Sequence, residues 1–261
     1  MTDRTQEPIR GIDPAVFRDD DGKVYLYWGQ ISSYGAEMTA DMKMVKEDTI
    51  VKNLLTEKEH CFHEGSSMRK IGDTYYYIFA DTHRGKATAL GYATSKSPLG
   101  PFQYQGIIID NEGCDPKTWN NHGSIECVDG QWYVFYHRST GSSRYLRRMC
   151  AEPVHIDENG CIAEVPVTSI GMGEPYKTGE LLYGYQACQV KNAYIDNAEL
   201  VILSGRAEVI YRYIDKAAQF TSISFDGDGE AKLSYQADDN GELTICLETK
   251  QKIKIRSFVM K

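Results

Sequence analysis

The chain has 261 residues, 11% of them aromatic, and a formal net charge of −8. This length suffices for one large β domain or two ordinary ones. The acidic balance argues against a nucleic-acid partner, which would need a basic surface, and no apolar run approaches the roughly 20 residues of a membrane helix. The N-terminal residues show no signal-peptide pattern. We therefore expect neither a membrane nor a nucleic acid as a partner.

Seven cysteines are scattered along the chain without a Cys-x-x-Cys pair. Their odd number and irregular spacing argue against a zinc cluster and against a disulfide framework. Reduced thiols are typical of the cytoplasm, and we therefore expect a cytoplasmic protein.

Short strand-like runs separated by Asp/Gly turn signals follow one another along the first 165 residues. Such turns between alternating runs are typical of β-hairpins. The predicted strands are residues 24–29, 75–80, 89–94, 102–109, 124–128, 131–137 and 144–150. A short helix is expected only within residues 42–57, and the β-branched run at 49–51 weakens that expectation.

One layout recurs three times in this region: a polar side chain at the start of a strand, a tight turn, and an aromatic strand. The polar side chains are Asp13, Glu64 and His122, at intervals of about fifty to sixty residues, which is typical of propeller blades. A β-sandwich would give the same strands and turns and is the alternative. The repeat favours a propeller over residues 12–165, with the three side chains gathered around one axis.

The composition changes after residue 164. Residues 166–180 are rich in glycine and proline and are predicted to be a linker. Alternating strands with Asp/Gly turns follow, a pattern typical of a β-sandwich. The predicted strands there are residues 199–203, 208–213, 218–225, 231–235, 243–248 and 252–259. The predicted domains are thus a propeller at 1–165 and, after the linker, a sandwich at 181–261.

Four motifs, in this order, resemble segments of family 43 glycoside hydrolases. They are IDPAVF at 12–17 with VYLYWG at 24–29, FHEGSSM at 62–68, GYATSKSPLGPF at 91–102, and NNHGS at 120–124 with WYVFYHR at 132–138. The similarity covers about residues 8–165. The region after it resembles, more loosely, the family 6 carbohydrate-binding sandwich.

The resemblance implies an all-β fold, in which an incomplete five-bladed β-propeller is followed by a small β-sandwich domain. The family includes β-xylosidases, α-L-arabinofuranosidases and arabinanases, and it uses three carboxylates. Asp13 matches the aspartate that tunes the pKa of the acid and orients it, and Glu64 matches the general acid. Only twelve residues precede Asp13, so the resemblance implies that the first blade, with the aspartate base, is missing from this chain.

Inverting hydrolysis needs one carboxyl group to protonate the leaving oxygen and another to activate water. We expect Glu64 to be this acid, with its pKa raised by the neighbouring charge of Asp13, and the base to come from outside this chain segment. The expected substrates are xylo- or arabino-oligosaccharides, cleaved at chain ends or side groups of xylan. Because an open ring exposes strand edges, we also expect a homo-oligomer or a partner that supplies the missing blade.

Three further residues are site candidates. By resemblance, His122 lines the substrate pocket and contacts a calcium ion on the propeller axis; calcium prefers oxygen ligands and would be held mainly by water. Arg138, at the end of a strand, is expected to bridge carboxylates or hold a sugar hydroxyl, or else to form a surface salt bridge. Trp119 lies in a predicted loop and is the best candidate to stack on a sugar ring.

Two alternatives stay open. The chain is either a hydrolase or a non-catalytic truncated or split-gene product that binds carbohydrate weakly at most. A β-fructosidase of similar propeller shape is a further possibility, although Ser66-Ser67-Met68 after Glu64 fits the xylan-active family better.

Overall fold

The computed structural model describes residues 11–111, 120–140 and 143–261. Within these residues the chain forms twenty β-strands, one short α-helix and two 3₁₀ turns, and no helix among them has the length and apolar character needed to span a membrane. They divide into two compact units. Among the described residues, the first unit contains 11–110, 120–137 and 153–165, and the second contains 111, 138–140, 143–152 and 166–261.

The first unit begins with a four-stranded antiparallel meander. A tight turn joins its first two strands: the Gly22 amide donates to the Asp19 carbonyl at 3.0 Å, and Gly22 has a φ of 82°, which glycine adopts without strain. The strands are β1 Ala15–Arg18, β2 Val24–Gln30, β3 Ser32–Glu37 and β4 Val51–Thr56, in the spatial order β1-β2-β3-β4. A meander in chain order is the arrangement of one propeller blade.

A second meander of the same kind follows. Its second strand is buried at seven of its eight positions, which agrees with its continuous aromatic and aliphatic sequence. The strands are β5 Phe62–Ile71, β6 Thr74–Asp81, β7 Ala89–Ser95 and β8 Gln103–Asp110, in the order β5-β6-β7-β8.

A three-stranded antiparallel sheet comes next, with the order β11-β10-β9. Its strands are β9 Ser124–Val128, β10 Gln131–Thr140 and β11 Ser143–Val154, and the division between the two units falls within β10 and β11. Successive meanders of three or four strands confirm the predicted propeller-type fold of this region rather than the sandwich alternative.

The helix predicted within residues 42–57 is wrong for most of that segment. Glu47–Thr49 is a single 3₁₀ turn, β4 occupies the next residues, and the only α-helix of the described chain, α1, is Glu57–His60. Leu54 and Leu55 are buried in β4. Packing of these side chains draws the segment into the sheet and overrides its helix propensity.

The core of the first unit is rich in tyrosine. Tyr27 and Tyr77 are fully buried, with ring centroids 5.2 Å apart in an edge-on arrangement. The Tyr27 hydroxyl donates to the Pro98 carbonyl at 2.8 Å, and the Tyr77 hydroxyl lies 2.8 Å from that of Ser66. Buried tyrosines keep hydrogen-bond partners in this way, so much of the tyrosine content serves packing.

The second unit contains two antiparallel sheets that share one apolar core. One sheet has the order β12-β20-β15-β14, with β17 also paired to β20, and the other has the order β13-β16-β19-β18. The strands are β12 Leu181–Tyr183, β13 Gln189–Lys191, β14 Ala193–Asp196, β15 Glu199–Ile202, β16 Gly205–Arg212, β17 Ile223–Asp228, β18 Lys232–Ala237, β19 Glu242–Thr249 and β20 Ile253–Met260. This arrangement confirms the predicted β-sandwich. Residues 166–180, predicted as a linker, belong to this unit.

Candidate active site

Asp13 stands two residues before the start of β1, with a left-handed backbone conformation (φ 55°). Aspartate tolerates this conformation better than most residues do. The preceding carbonyl, of Ile12, accepts a hydrogen bond from the Gly29 amide at 3.0 Å, which ties this segment to the end of β2. A non-glycine residue held at positive φ is common at functional sites, and here it fixes the direction of the carboxylate.

Glu64 lies in β5 at a break in its register. The pairing of β5 with β6 shifts on both sides of Glu64, and irregularities of this kind change where a side chain points. The residue is only 6% exposed. Its Oε2 accepts a hydrogen bond from Gln30 Nε2 at 2.8 Å, and its Oε1 accepts one from Asn120 Nδ2 at 2.7 Å. Two neutral amides thus hold this buried carboxylate in a defined orientation.

His122 precedes β9 and completes the cluster. Its Nε2 lies 3.2 Å from Glu64 Oε1 and 3.7 Å from Asp13 Oδ2. A Cβ atom on Gly65 would approach His122 Cδ2 to 2.8 Å, so the ring requires glycine at that position. One oxygen or nitrogen atom from each of Asp13, Glu64 and His122 lies within 4.8 Å of the others, which confirms the expected convergence of the three repeated polar side chains.

The pKa of Glu64 is shifted downward, whereas the sequence predicted an upward shift. Burial opposes its ionisation, but hydrogen bonds from Asn120 and His122, together with the positive charge of His122 and His63 when protonated, hold the pKa of Glu64 below its ordinary value. The predicted rise of this pKa through the charge of Asp13 is therefore wrong. Hydrogen-bond donors to the carboxylate and the nearby histidines outweigh the effect of burial.

Comparison with known proteins identifies the family. The family model described as glycosyl hydrolases family 43 matches residues 3–162, more than half of the chain. The chain belongs to glycosyl hydrolase family 43.

Two curated relatives resemble this family 43 chain at 32% identity. A xylosidase/arabinosidase of Thermoclostridium stercorarium aligns over 290 residues, covering 95% of this chain and 57% of the relative. A β-xylosidase of Xylanibacter ruminicola aligns over 201 residues, covering 61% of this chain and 60% of the relative. The chain therefore spans less than two thirds of either relative.

Solved structures of family 43 show the same fold. A β-xylosidase/α-arabinofuranosidase from a compost metagenome, determined with xylotriose in a calcium-free form, matches with a TM-score of 0.51 at 28% identity, covering 60% of this chain and 58% of its own. An arabinoxylan arabinofuranohydrolase of Bacillus subtilis has a TM-score of 0.51 at 19% identity and covers 97% of this chain and 67% of its own. The second likeness bears on the fold alone.

Two other predicted site residues do not join the described cluster. Arg138 belongs to the second unit and is 2% exposed; its guanidinium donates to the backbone carbonyls of Ala187 and Cys188. Its substrate-binding role stays a prediction. Trp119 lies outside the described residues, so its stacking role stays a prediction as well.

Sequence reasoning missed Gln30 and Asn120, the two amide donors to Glu64. Asn120 is part of the NNHGS motif that resembles a family 43 segment, so the motif itself was a signal for it. Gln30 follows the VYLYWG run, and no residue pattern marks it. Gln30 reaches Glu64 only because the end of β2 lies against β5, and this contact appears only in the folded chain.

The calcium ion implied by family 43 requires six to eight oxygen ligands. The metal-capable cluster of the described residues is Asp13, Glu64 and His122, which offers one imidazole nitrogen and few oxygens. Both Glu64 oxygens already accept hydrogen bonds. This donor set does not fit a directly coordinated calcium ion, and calcium held mainly through water stays a prediction.

Proposed function

We propose that this family 43 protein is a glycoside hydrolase acting on the chain ends or side groups of xylan, as a β-xylosidase or α-L-arabinofuranosidase. The observation that carries the proposal is the convergence of Glu64, Asp13 and His122 within one cluster. A buried carboxyl group beside a second carboxyl group is the arrangement expected of a general acid with an orienting partner.

In the proposed reaction, Glu64 donates its proton to the glycosidic oxygen as the bond to the sugar breaks. Asp13 and His122 lie beside the carboxyl group that gives up the proton and position it. Inversion also requires a base that activates water, about 6.5–9.5 Å from the acid. We assign that base to a carboxylate outside the segment 11–165, supplied by another part of the protein, by a second copy, or by a partner.

The lowered pKa of Glu64 affects the pH at which this acid works. A general acid must carry its proton before the reaction, and a carboxyl group with a pKa below its ordinary value is mostly ionised near neutrality. The protonated form therefore becomes more abundant as the pH falls. We propose that hydrolysis is faster in mildly acidic buffer than at neutral pH, until the base is protonated in turn.

The substrate class is also a proposal, and the relatives support it. The curated relatives are named as a xylosidase/arabinosidase and a β-xylosidase, and one solved family 43 structure holds xylotriose. Xylo- and arabino-oligosaccharides are neutral, so the acidic net charge of the chain does not repel them.

The test compares two kinds of substrate that differ in their leaving groups. Hydrolysis of p-nitrophenyl xyloside and arabinofuranoside needs little help from an acid, because nitrophenolate leaves easily, whereas hydrolysis of xylobiose needs full protonation of the leaving oxygen. Glu64→Gln is expected to slow the disaccharide by about 10²–10⁴-fold and the nitrophenyl glycosides much less.

Glu59→Gln is the matched control, because Glu59 is an exposed glutamate of α1 and lies outside the cluster. Equal effects of Glu64→Gln on both substrate types would contradict the acid role. If the chain alone shows no turnover, azide, a nucleophile that needs no base, is expected to restore cleavage of the nitrophenyl glycosides. Absence of turnover with and without azide would contradict the proposed function.

A further inference from the structure

Ile31 forms the tip of the hairpin between β2 and β3, where Gln30 pairs with Ser32. Its φ is 65°, a left-handed conformation in which a β-branched side chain crowds its own backbone. Glycine, asparagine and aspartate are the residues that adopt this conformation most readily. Isoleucine is therefore an unfavourable residue for the fold at this position.

Packing does not account for the isoleucine, because Ile31 is 57% exposed. The neighbouring elements hold its backbone. Its amide donates to the His63 carbonyl at 2.6 Å, and its carbonyl accepts from the Glu57 amide at 2.8 Å. These two bonds fix the hairpin tip against β5 and α1, and any residue other than proline can make them. The fold thus requires the tip, but not an aliphatic side chain on it.

The hairpin tip lies beside the proposed acid. Gln30, which precedes Ile31, donates from Nε2 to Glu64 Oε2 at 2.8 Å. His63, whose carbonyl binds the Ile31 amide, precedes Glu64 in β5. Ile31 is therefore next to the acid through both of its neighbours, and an exposed aliphatic group at such a place points to a ligand contact. Strained backbone conformations are common at ligand-binding sites for the same reason.

The two oxygens of Glu64 have different surroundings. Oε1 accepts from Asn120 at 2.7 Å and lies 3.2 Å from His122 Nε2, whereas Oε2 accepts one hydrogen bond from the described residues, that of Gln30. The oxygen with fewer partners keeps a lone-pair direction for the glycosidic oxygen. The leaving part of the substrate therefore belongs on the Oε2 side, which is the side of Gln30 and Ile31.

We propose that Ile31 contacts the leaving-group sugar and makes the site selective for substrates that carry a second sugar ring there. The faces of a pyranose ring carry C–H groups, and contact with an aliphatic side chain removes them from water. The strained tip holds this side chain beside the acid, so Ile31 serves binding at the expense of stability. The inference rests on the proposed function, which assigns the role of acid to Glu64.

The first measurement is urea denaturation followed by fluorescence, which needs no substrate. Ile31→Asn relieves the strained conformation, and we expect it to unfold at a urea concentration no lower than that of the wild type. Met42→Asn is the matched control, because Met42 is also exposed and has a φ of 57°, in the segment after β3, at the end of that strand opposite Ile31. A lower midpoint for Ile31→Asn would show that the side chain serves the fold, and would overturn the proposal.

The second measurement compares xylobiose with β-xylosyl fluoride, whose leaving group is a single atom. Ile31→Asn is expected to lower kcat/KM for xylobiose about tenfold and to leave kcat/KM for the fluoride unchanged, because only the disaccharide has a second ring. Ile31→Val keeps an aliphatic contact, and Met42→Asn changes a residue away from the cluster, so both should keep the selectivity of the wild type. Equal losses on both substrates, or a loss on neither, would overturn the proposal.

Binding separates this proposal from the proposed function. Xylobiose is titrated calorimetrically into the whole chain carrying Glu64→Gln, in which turnover is suppressed, with and without Ile31→Asn. The added substitution is expected to weaken binding about tenfold. This result, with a wild-type chain that hydrolyses nothing, would support the sugar contact and remove the hydrolase. Hydrolysis that depends on Glu64, with xylobiose binding absent or unaffected by Ile31→Asn, would do the reverse.

Discussion

Asp81, at the end of β6, is a completely buried carboxyl group whose charge opposes folding. It has no exposed surface, and its Oδ1 accepts a hydrogen bond from the His83 backbone amide at 2.6 Å. Burial, with a smaller addition from the charge of Asp110, raises the pKa of Asp81 to about 6, against the opposing hydrogen bonds from His83 and Tyr104. We expect Asp81→Asn to stabilise the protein at neutral pH.

The expected gain in stability follows from the pKa of Asp81 in the folded and in the unfolded state. An unfolded aspartate titrates near 3.8, so between this pH and about 6 the folded state binds more protons, and stability falls as the pH rises. Above about pH 6 the buried charge of Asp81 lowers the stability of the folded state by its full amount, ~3 kcal/mol for a pKa shift of this size. Asparagine carries no charge and keeps the Oδ1 acceptor. The variant should therefore gain up to about 3 kcal/mol at pH 7 and nothing below about pH 4.

Urea denaturation at a series of pH values, followed by fluorescence, measures this difference for the unfolding transition of the first unit. Asp73→Asn is the control, because Asp73 is an exposed aspartate in the turn before β6 and its replacement removes the same charge without changing burial. A variant less stable than the wild type at pH 7, or a difference independent of pH, would refute the reasoning.

Three further changes test the cluster and the core. Asn120→Ala removes a donor that lowers the pKa of Glu64, so the alkaline limb of the kcat/KM profile is expected to move to higher pH; an unmoved limb would contradict this. Gly65→Ala places a Cβ 2.8 Å from the His122 ring at a φ of 77°, and is expected to cost about 1–3 kcal/mol of the unfolding free energy; wild-type stability in urea would argue against the close contact. Tyr27→Phe loses a buried hydrogen bond of 2.8 Å to a carbonyl and should cost about 1 kcal/mol of the unfolding free energy, measured in the same way; an unchanged free energy would contradict this.

Several of the strands follow from local patterns. The prediction of a strand at residues 124–128 coincides with β9, and the predicted strand at 131–137 is the first part of β10. Alternating side chains and Asp/Gly turns act over a few residues, so they can be read without knowledge of the rest of the chain. The recurrence of Asp13, Glu64 and His122 near the start of strands in successive hairpins indicated their convergence for the same reason: a repeated unit places equivalent residues at equivalent positions.

The ionisation of Glu64 was beyond such reasoning. Its donors Gln30 and Asn120 lie 34 and 56 residues away along the chain, and the direction of its pKa depends on the distances and orientations of these groups, which small changes in strand register alter. Packing also decided that residues 51–56 join a sheet and that Arg138 falls in the second unit. Local sequence therefore determined several of the strands and which polar side chains recur, whereas long-range contacts determined the remaining strands and the chemical state of the site.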